Sequence, residues 1–389
     1  MNKNIIALGV VSFFTDMASS MVTTILPLFI VFVLNEGIDK LGFVVAIATF
    51  ISYAFRVLFG YLSDKYHIVK PFVVTGYFMS AFTKPLLYFA NNWIQIATLR
   101  GIERMGKAIR SATKDSLISA YSDKKSGKSF GFHKTMDIAG ELIGAIIAFL
   151  ALYYLGKNEE VFRNIFAWSL IPGILSVIVV VFFVKDVPYE EKKDEFNLKK
   201  DYHLLPILFI YFGIVFFMFS DSFFIIEAKN SGIEIAYIPL FVILLNFTQT
   251  IFSYYFGVQI DKFGFNKIFL LSIIFGFLSI LSLYFDFIIL GFVLLGLFLV
   301  ASLNSIRAFI SDNAVNKGSI YGVLYGGVAL FSSLGAIVIS QIWHNFGEDK
   351  AILFSLFGLG LMFFIKVIYS RDSKFISRRE NESIKLYKR

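Results

Sequence analysis

The chain has 389 residues with 36 Lys and Arg against 28 Asp and Glu, a formal charge of +8, no cysteine, and 57% hydrophobic, 18% aromatic and only 16% charged residues. Its mean hydropathy of +0.73 lies far outside the range of soluble domains and describes a polytopic membrane protein. Without cysteine there are no disulfides, no Cys-ligated zinc and no iron–sulfur cluster, and the four histidines at 67, 133, 203 and 344 have no metal-ligand spacing. The cations recur in alternate loops rather than on a basic, aromatic-interleaved surface, so the excess charge reads as membrane topology and no nucleic-acid partner is expected.

Apolar stretches of about twenty residues give twelve expected spans: 5–34, 41–63, 71–90, 93–118, 130–155, 162–184, 204–228, 235–260, 267–285, 288–311, 319–343 and 350–370. The lengths predict an all-α membrane protein, since a barrel strand needs only about ten alternating residues. MNKNIIALGVVSFFTD has no small-residue cleavage site after a short apolar core, and is expected to be a retained first span. Lys65, Lys70, Lys124, Lys125, Lys262 and Lys267 belong to loops on one side of the membrane, and the intervening loops are poor in cations. By the positive-inside rule both termini are expected in the cytoplasm, and the chain in the cytoplasmic (inner) membrane. The longest polar segment, 185–203, falls between spans six and seven. The expected organisation is a six-helix bundle over 1–184, a cytoplasmic linker over 185–203, a second six-helix bundle over 204–370, and a basic tail over 371–389.

One span breaks the apolar rule. In RGIERMGKAIRSATKDSLIS, residues 100–119, Arg100, Arg104, Lys107, Ser111 and Lys114 step by four, three, four and three, which on a helix is a single stripe, with Glu103 and Arg110 beside it. Charges at that depth are costly unless they face protein or a wet cavity. The stretch also has an echo. Arg110 and Asp115 recur 197 residues later as Arg307 and Asp312, and the same offset carries Gly60, Asp64 and Lys70 onto Gly257, Asp261 and Lys267. A shift of 191 aligns Gly131, Gly144 and Ala145 with Gly322, Gly335 and Ala336. Two copies of one unit, arranged as parallel halves, are a transporter architecture.

Twelve spans in two halves, with Gly60, Leu62, Asp64, Lys65 and Lys70 between spans two and three, resemble the major facilitator superfamily and its loop signature G-x-L-x-D-R-x-G-R-K. Arg100 with Glu103 is similar to that family's fourth-helix pattern. FFTDMASSM at 13–21, ERMGKAIRSATKDSLIS at 103–119 and FGFHKTMDIAG at 130–140 resemble a prokaryotic subgroup of efflux transporters. The chain departs from the pattern at His67 and Ile68, at Arg104, and at Thr113 and Lys114. It also departs at Gly144–Ala145, where the antiporter signature has Gly–Pro. The resemblance implies the two-bundle fold and alternating access. It also implies a cytoplasmic latch formed by Gly60, Asp64, Lys65, Lys70, Arg110 and Asp115, with Gly257, Asp261, Arg307 and Asp312 as its second-half counterpart.

Deeper in the first half lie Asp16, Lys84, Arg100, Glu103, Arg104, Asp137 and Glu141. They are expected to face a central cavity, and the four carboxylates are the candidates for carrying a proton, because a carboxylate that alternates between desolvated and cation-paired surroundings binds and releases one. Static ion pairing is the competing reading. The second half offers Asp221, Asn246, Gln249 and Asn304 among many aromatics, an expected cavity wall suited to an amphipathic or aromatic solute. The expected function is proton-coupled export of a small organic compound by a secondary transporter. A proton-driven importer or facilitator stays open, as does, from another class, a non-transporting sensor or scaffold. No nucleophile–base pair, nucleotide loop or metal set appears, so no enzymatic activity and no cofactor beyond the proton gradient are expected. The expected partners are a small-molecule substrate and the bilayer, with the monomer as functional unit.

Overall fold

A computed structural model describes residues 2–66, 69–121, 127–186 and 200–387, and among them every regular element is helical. The first span is α1 (Lys3–Thr23), α2 (Leu26–Leu28) and a π-helical turn Phe29–Val33. Span two is α3 (Ile38–Tyr66), and span three is α4 (Lys70–Thr83) followed by a 3₁₀ turn, Pro85–Phe89. Then come α5 (Trp93–Tyr121) and α6 (Gly127–Tyr154), and span six is divided into α7 (Glu159–Trp168) and α8 (Leu170–Phe183). Span seven is α9 (Leu205–Phe217) and α10 (Asp221–Asn230). The last five are α11 (Ile238–Phe263), α12 (Phe265–Tyr284), α13 (Ile288–Asn313), α14 (Lys317–Phe346) and α15 (Glu348–Tyr387). The final helix runs on into the basic segment that the sequence alone leaves as a tail.

Ten helical segments among the described residues are apolar and long enough to cross a membrane. The two expected spans outside that set are exceptions for stated reasons: the third is interrupted at Lys84, and the fourth, α5, carries the charged stripe. Four spans are broken, and proline accounts for three breaks. Pro27 and Pro172 lie four residues after Thr23 and Trp168, where α1 and α7 stop, and Pro85 follows the end of α4; the missing N–H and the ring remove the bond to the carbonyl one turn back. The break in span seven has no proline. Met218 and Ser220 are extended, and Asp221 starts α10 with its carboxylate accepting from the Ser222 amide at 2.8 Å, the local bonding by which short polar side chains compete with a continuing helix.

Helices α1, α3, α4, α5, α6 and α8 pack among themselves, as do α9 and α11 to α15. Across the two sets α3 packs on α14 and α6 on α11, and several of the described contacts lie toward the end away from the chain termini. Ser333 Oγ on α14 donates to the Ala46 carbonyl on α3 at 2.9 Å, and Asp39 Oδ1 is 3.6 Å from His344 Nδ1. Tyr237 meets Tyr153 edge-on and Phe149 at a tilt, with ring centres 6.0 and 6.2 Å apart, and Lys157 pairs with Glu234. The expected linker falls largely outside the described residues.

Candidate functional site: a charged cavity between the halves

The broken spans meet the charged stripe. A cavity of about 350 Å³ lies between the break in span one, α3, α5 and the first turn of α10. Arg100, Arg104, Lys107 and Ser111 project into it from α5, so the stripe read from the sequence faces this cavity. Tyr53 and Arg56 enter from α3, and Asp221 and Ser222 from the break in span seven. Leu41, Val44, Val45 and Ala48 make one wall apolar, and Thr23, Thr49 and Ser52 add hydroxyls.

Behind the lining, Glu103 is 2% exposed and collects three donors: Arg100 at 2.8 Å and Arg104 at 3.4 Å on Oε2, and Ser80 Oγ at 3.5 Å on Oε1. Two guanidiniums on one carboxylate fix both arginines, which hold their charge at any accessible pH. Lys84, at the break in span three, is 1% exposed; its Nζ has no hydrogen-bond acceptor among the described residues, and Glu103 and Asp16 are its counter-charges. Asp16 and Glu141 are within electrostatic reach of Lys107, without lining the cavity themselves. Asp221 plays that part for Arg100 from across the interface.

A second cluster sits closer to the termini. Ser12 Oγ and His133 Nε2 are 2.7 Å apart, His133 Nδ1 is 3.3 Å from Asp137 Oδ1, and Lys114 Nζ donates to Ser12 at 3.5 Å. Ser12 and His133 are buried at 2% and 4% exposure. Despite its Ser–His–Asp order, this cluster is buried between helices, whereas a nucleophile must be open to its substrate. It was missed in the sequence because Ser12, Lys114 and His133 come from three helices and only His133 and Asp137 share one, at the i, i+4 spacing.

Among the described side chains, no two of the expected latch residues pair with each other. Asp64, Lys65 and Asp115 lie on α3 and α5, but their side chains are outside the described residues. Lys70 bonds within its own half, its Nζ donating to the Val181 carbonyl at 3.1 Å and its amide to Asp186 at 3.4 Å. Arg110 is buried and lies over the Tyr77 ring at 4.7 Å. Gly60 and Gly257 lie within α3 and α11, and Asp261 and Asp312 are exposed. Arg307 reaches Tyr325 Oη at 3.4 Å; that ring lies under Arg56 at 5.0 Å and stacks on Tyr53 at 6.2 Å, linking α3 to α14. The expected second-half wall is only partly present: Asp221 lines the cavity, whereas Asn246 and Gln249 do not. Asn304 ties α13 to the Ser253 carbonyl of α11 at 3.1 Å. Tyr53 from the first half is the single aromatic of the described lining.

The family model described as Major Facilitator Superfamily matches residues 8–336. The chain belongs to the Major Facilitator Superfamily. An uncharacterised MFS-type transporter of Methanocaldococcus jannaschii is 31% identical over 384 residues, covering 93% of this chain and 95% of that one. Among solved structures, the nucleoside transporter NupG superposes with a TM-score of 0.75 at 13% identity, over 95% of this chain and 99% of its own. A D-xylose–proton symporter superposes with a TM-score of 0.66 at 16% identity, over 93% and 96%. As a superfamily member the protein is a multi-pass secondary transporter of small molecules, and the broken spans one and seven flank its cavity, as the irregular backbone of a transporter is tolerated where it lines one.

Proposed function

We propose that this protein couples the proton gradient to export of a small organic compound by alternating access, as a monomer in the cytoplasmic membrane with both termini in the cytoplasm. The observation that carries the coupling is the placement in the membrane-spanning part of the first half of Asp16, Glu103 and Glu141 among Lys84, Arg100, Arg104 and Lys107, and of Asp137 beside His133 and Lys114. Isolated charges there are too costly to persist without use. Asp137 is joined through His133 to Ser12 and Lys114, a chain of exchangeable protons that leads from the terminal end toward Glu141, one helical turn further on. The export direction rests on the resemblance of segments 13–21, 103–119 and 130–140 to efflux transporters.

The test is transport by the purified protein in liposomes, with gradient-driven accumulation and equal-pH counterflow measured side by side. Neutralising the proton-carrying member among Asp16, Asp137 and Glu141 to Asn or Gln abolishes accumulation and preserves counterflow. Glu103→Gln instead strands the buried Arg100 and leaves the half-buried Arg104 without its carboxylate, a loss of up to roughly 3–5 kcal/mol, so both modes and the melting temperature fall together. Carboxylate variants that all retain uphill transport would refute the coupling.

A further inference from the structure

A buried acid in the second half lacks the donors that an ionised carboxylate needs. Glu227, on the last turn of α10, is 3% exposed, and its Oε2 has no hydrogen-bond partner among the described residues. Its Oε1 is 3.5 Å from Ser231 Oγ, which is 2.9 Å from Asp286 Oδ1 in the turn between α12 and α13. A hydroxyl has one proton to give, and the shorter bond to Asp286 takes it. The charged groups that act on Glu227 are both acidic: Glu348, within hydrogen-bond reach at the start of α15, and Asp286. Asn230 Nδ2 donates to Glu348 at 3.2 Å. No lysine or arginine pairs with any of the three among the described residues, and no three acids or histidines among them converge as metal ligands. An ionised Glu227 would be buried beside two carboxylates with neither donor nor cation, a costly arrangement. A proton on Glu227 satisfies every group: it donates to Ser231 Oγ, which donates to Asp286.

We propose that Glu227 is a proton-binding site of the second half, loaded through Asp286 and Ser231 from the water at the end away from the termini, and that its proton favours closure of that end. The site is separate from the first-half carboxylates assigned to coupling and goes beyond that reading. Asp286 is exposed, so Asp286, Ser231 and Glu227 lead in order from solvent to a buried group. Helix α10 also meets the first half: it packs on α2, and Lys229 Nζ lies 5.9 Å from the centre of the Phe32 ring. Loss of the proton sets Glu227 against Glu348 and Asp286 at once, a repulsion relieved when α10 moves away from α15 and the α12–α13 turn. Such a movement loosens the contact of α10 with the first half. A proton held more tightly in the joined state stabilises that state at low pH, and the preference is lost as pH rises through the Glu227 value. Of the other charges at this end, His344 of α14 faces Asp39 at 3.6 Å, Asp39 also holds Lys40, Glu234 pairs with Lys157, and Asp349 and Lys350 are exposed. Helix α2 and the adjoining turns of α11 and α13 carry none.

The experiment uses the full-length protein in detergent, without solute or gradient, so this proposal and the coupling reading can fail independently. Infrared spectroscopy at neutral pH reads the carbonyl band of protonated carboxyls, which is expected to lose one component in Glu227→Gln. Closure is read as the rate at which a short bifunctional thiol reagent bridges Lys157→Cys and Glu234→Cys. The rate is followed from about pH 5 to about pH 9 on a His344→Gln background, which removes the titrating histidine at the same end. Dividing this parent rate by the rate with Glu227→Gln added cancels the reagent's own pH dependence. The ratio is expected near one at acid pH and to fall roughly fivefold or more toward alkaline pH, the lower end of ordinary coupling between sites. Adding Glu348→Gln, which removes one like charge, should leave a smaller fall, and an undiminished fall there would exclude the cluster. At acid pH Glu227→Gln should melt with the parent, since an amide then replaces a neutral acid of the same shape. A ratio constant across pH, an unchanged carboxyl band, or a Glu227→Gln protein that melts well below the parent at acid pH each overturns the proposal.

Discussion

At the scale of single residues, the structure distinguishes charges that are structurally held from those that face the cavity. Glu103, with three donors, belongs to the first kind, and Lys107, at the cavity surface, to the second. Asp201 shows the structural kind outside the membrane. Its buried carboxylate accepts the Val315 amide at 2.8 Å and the Asn316 amide at 2.9 Å, tying the start of the second half to the turn between α13 and α14. Those two backbone N–H groups hold the Asp201 carboxyl below its ordinary range. A carboxyl lowered by folding stabilises the protein fully above its unfolded value, about 3.9, and that contribution is lost as pH falls through the folded value. Asp201→Asn is therefore expected to melt below the parent by a constant margin from neutral pH down to about 5, and the margin should shrink on further acidification. Melting curves across that range check it, and a margin that grows toward low pH would contradict the assignment.

At the scale of elements, the two copies detected by sequence offset are equivalent in packing. Gly144 of α6 lies so close to α1 that an added Cβ would meet Ser20 Cβ at 2.9 Å and the Met17 carbonyl carbon at 3.1 Å. Its partner at the 191 shift, Gly335 of α14, would meet the Phe216 carbonyl carbon at 2.8 Å on α9. Spans five and eleven thus approach spans one and seven through the same glycine, the close contact that small residues permit in membranes. Gly257, matched to Gly60 by the other shift, has nothing within 4 Å of the same position. Gly144→Val and Gly335→Val should each lose about 1–3 kcal/mol or more, read as a lower melting temperature. Gly257→Ala should hold or slightly raise it, since alanine favours a helix by about 1 kcal/mol over glycine.

For the whole molecule, the decisive feature is where the halves touch. Lys157 with Glu234 and Asp39 with His344 join them at the end away from the termini, so alternating access requires those contacts to part. The natural absence of cysteine allows a direct check. Lys157→Cys combined with Glu234→Cys, bridged by a short reducible bifunctional thiol reagent, should stop counterflow, and reduction should restore it. Uninterrupted counterflow in the bridged protein would exclude opening at that end.

Composition alone determined the class of protein, because a chain so apolar can satisfy its backbone in a bilayer only as helices or a closed barrel, and the stretches have helical length. The 3.6-residue period likewise placed Arg100, Arg104, Lys107 and Ser111 on one stripe, and the offsets of 197 and 191 revealed the repeat, since both are properties of one chain segment or of two compared directly. The assembly of Ser12, Lys114, His133 and Asp137, and the exclusion of Asn246, Gln249 and Asn304 from the described cavity lining, were decided only by tertiary structure. Each depends on which helix faces which across hundreds of residues, and hydropathy carries no term for that. Nor could sequence place Arg100 and Asp221 on one cavity, because they meet only when span seven breaks beside α5.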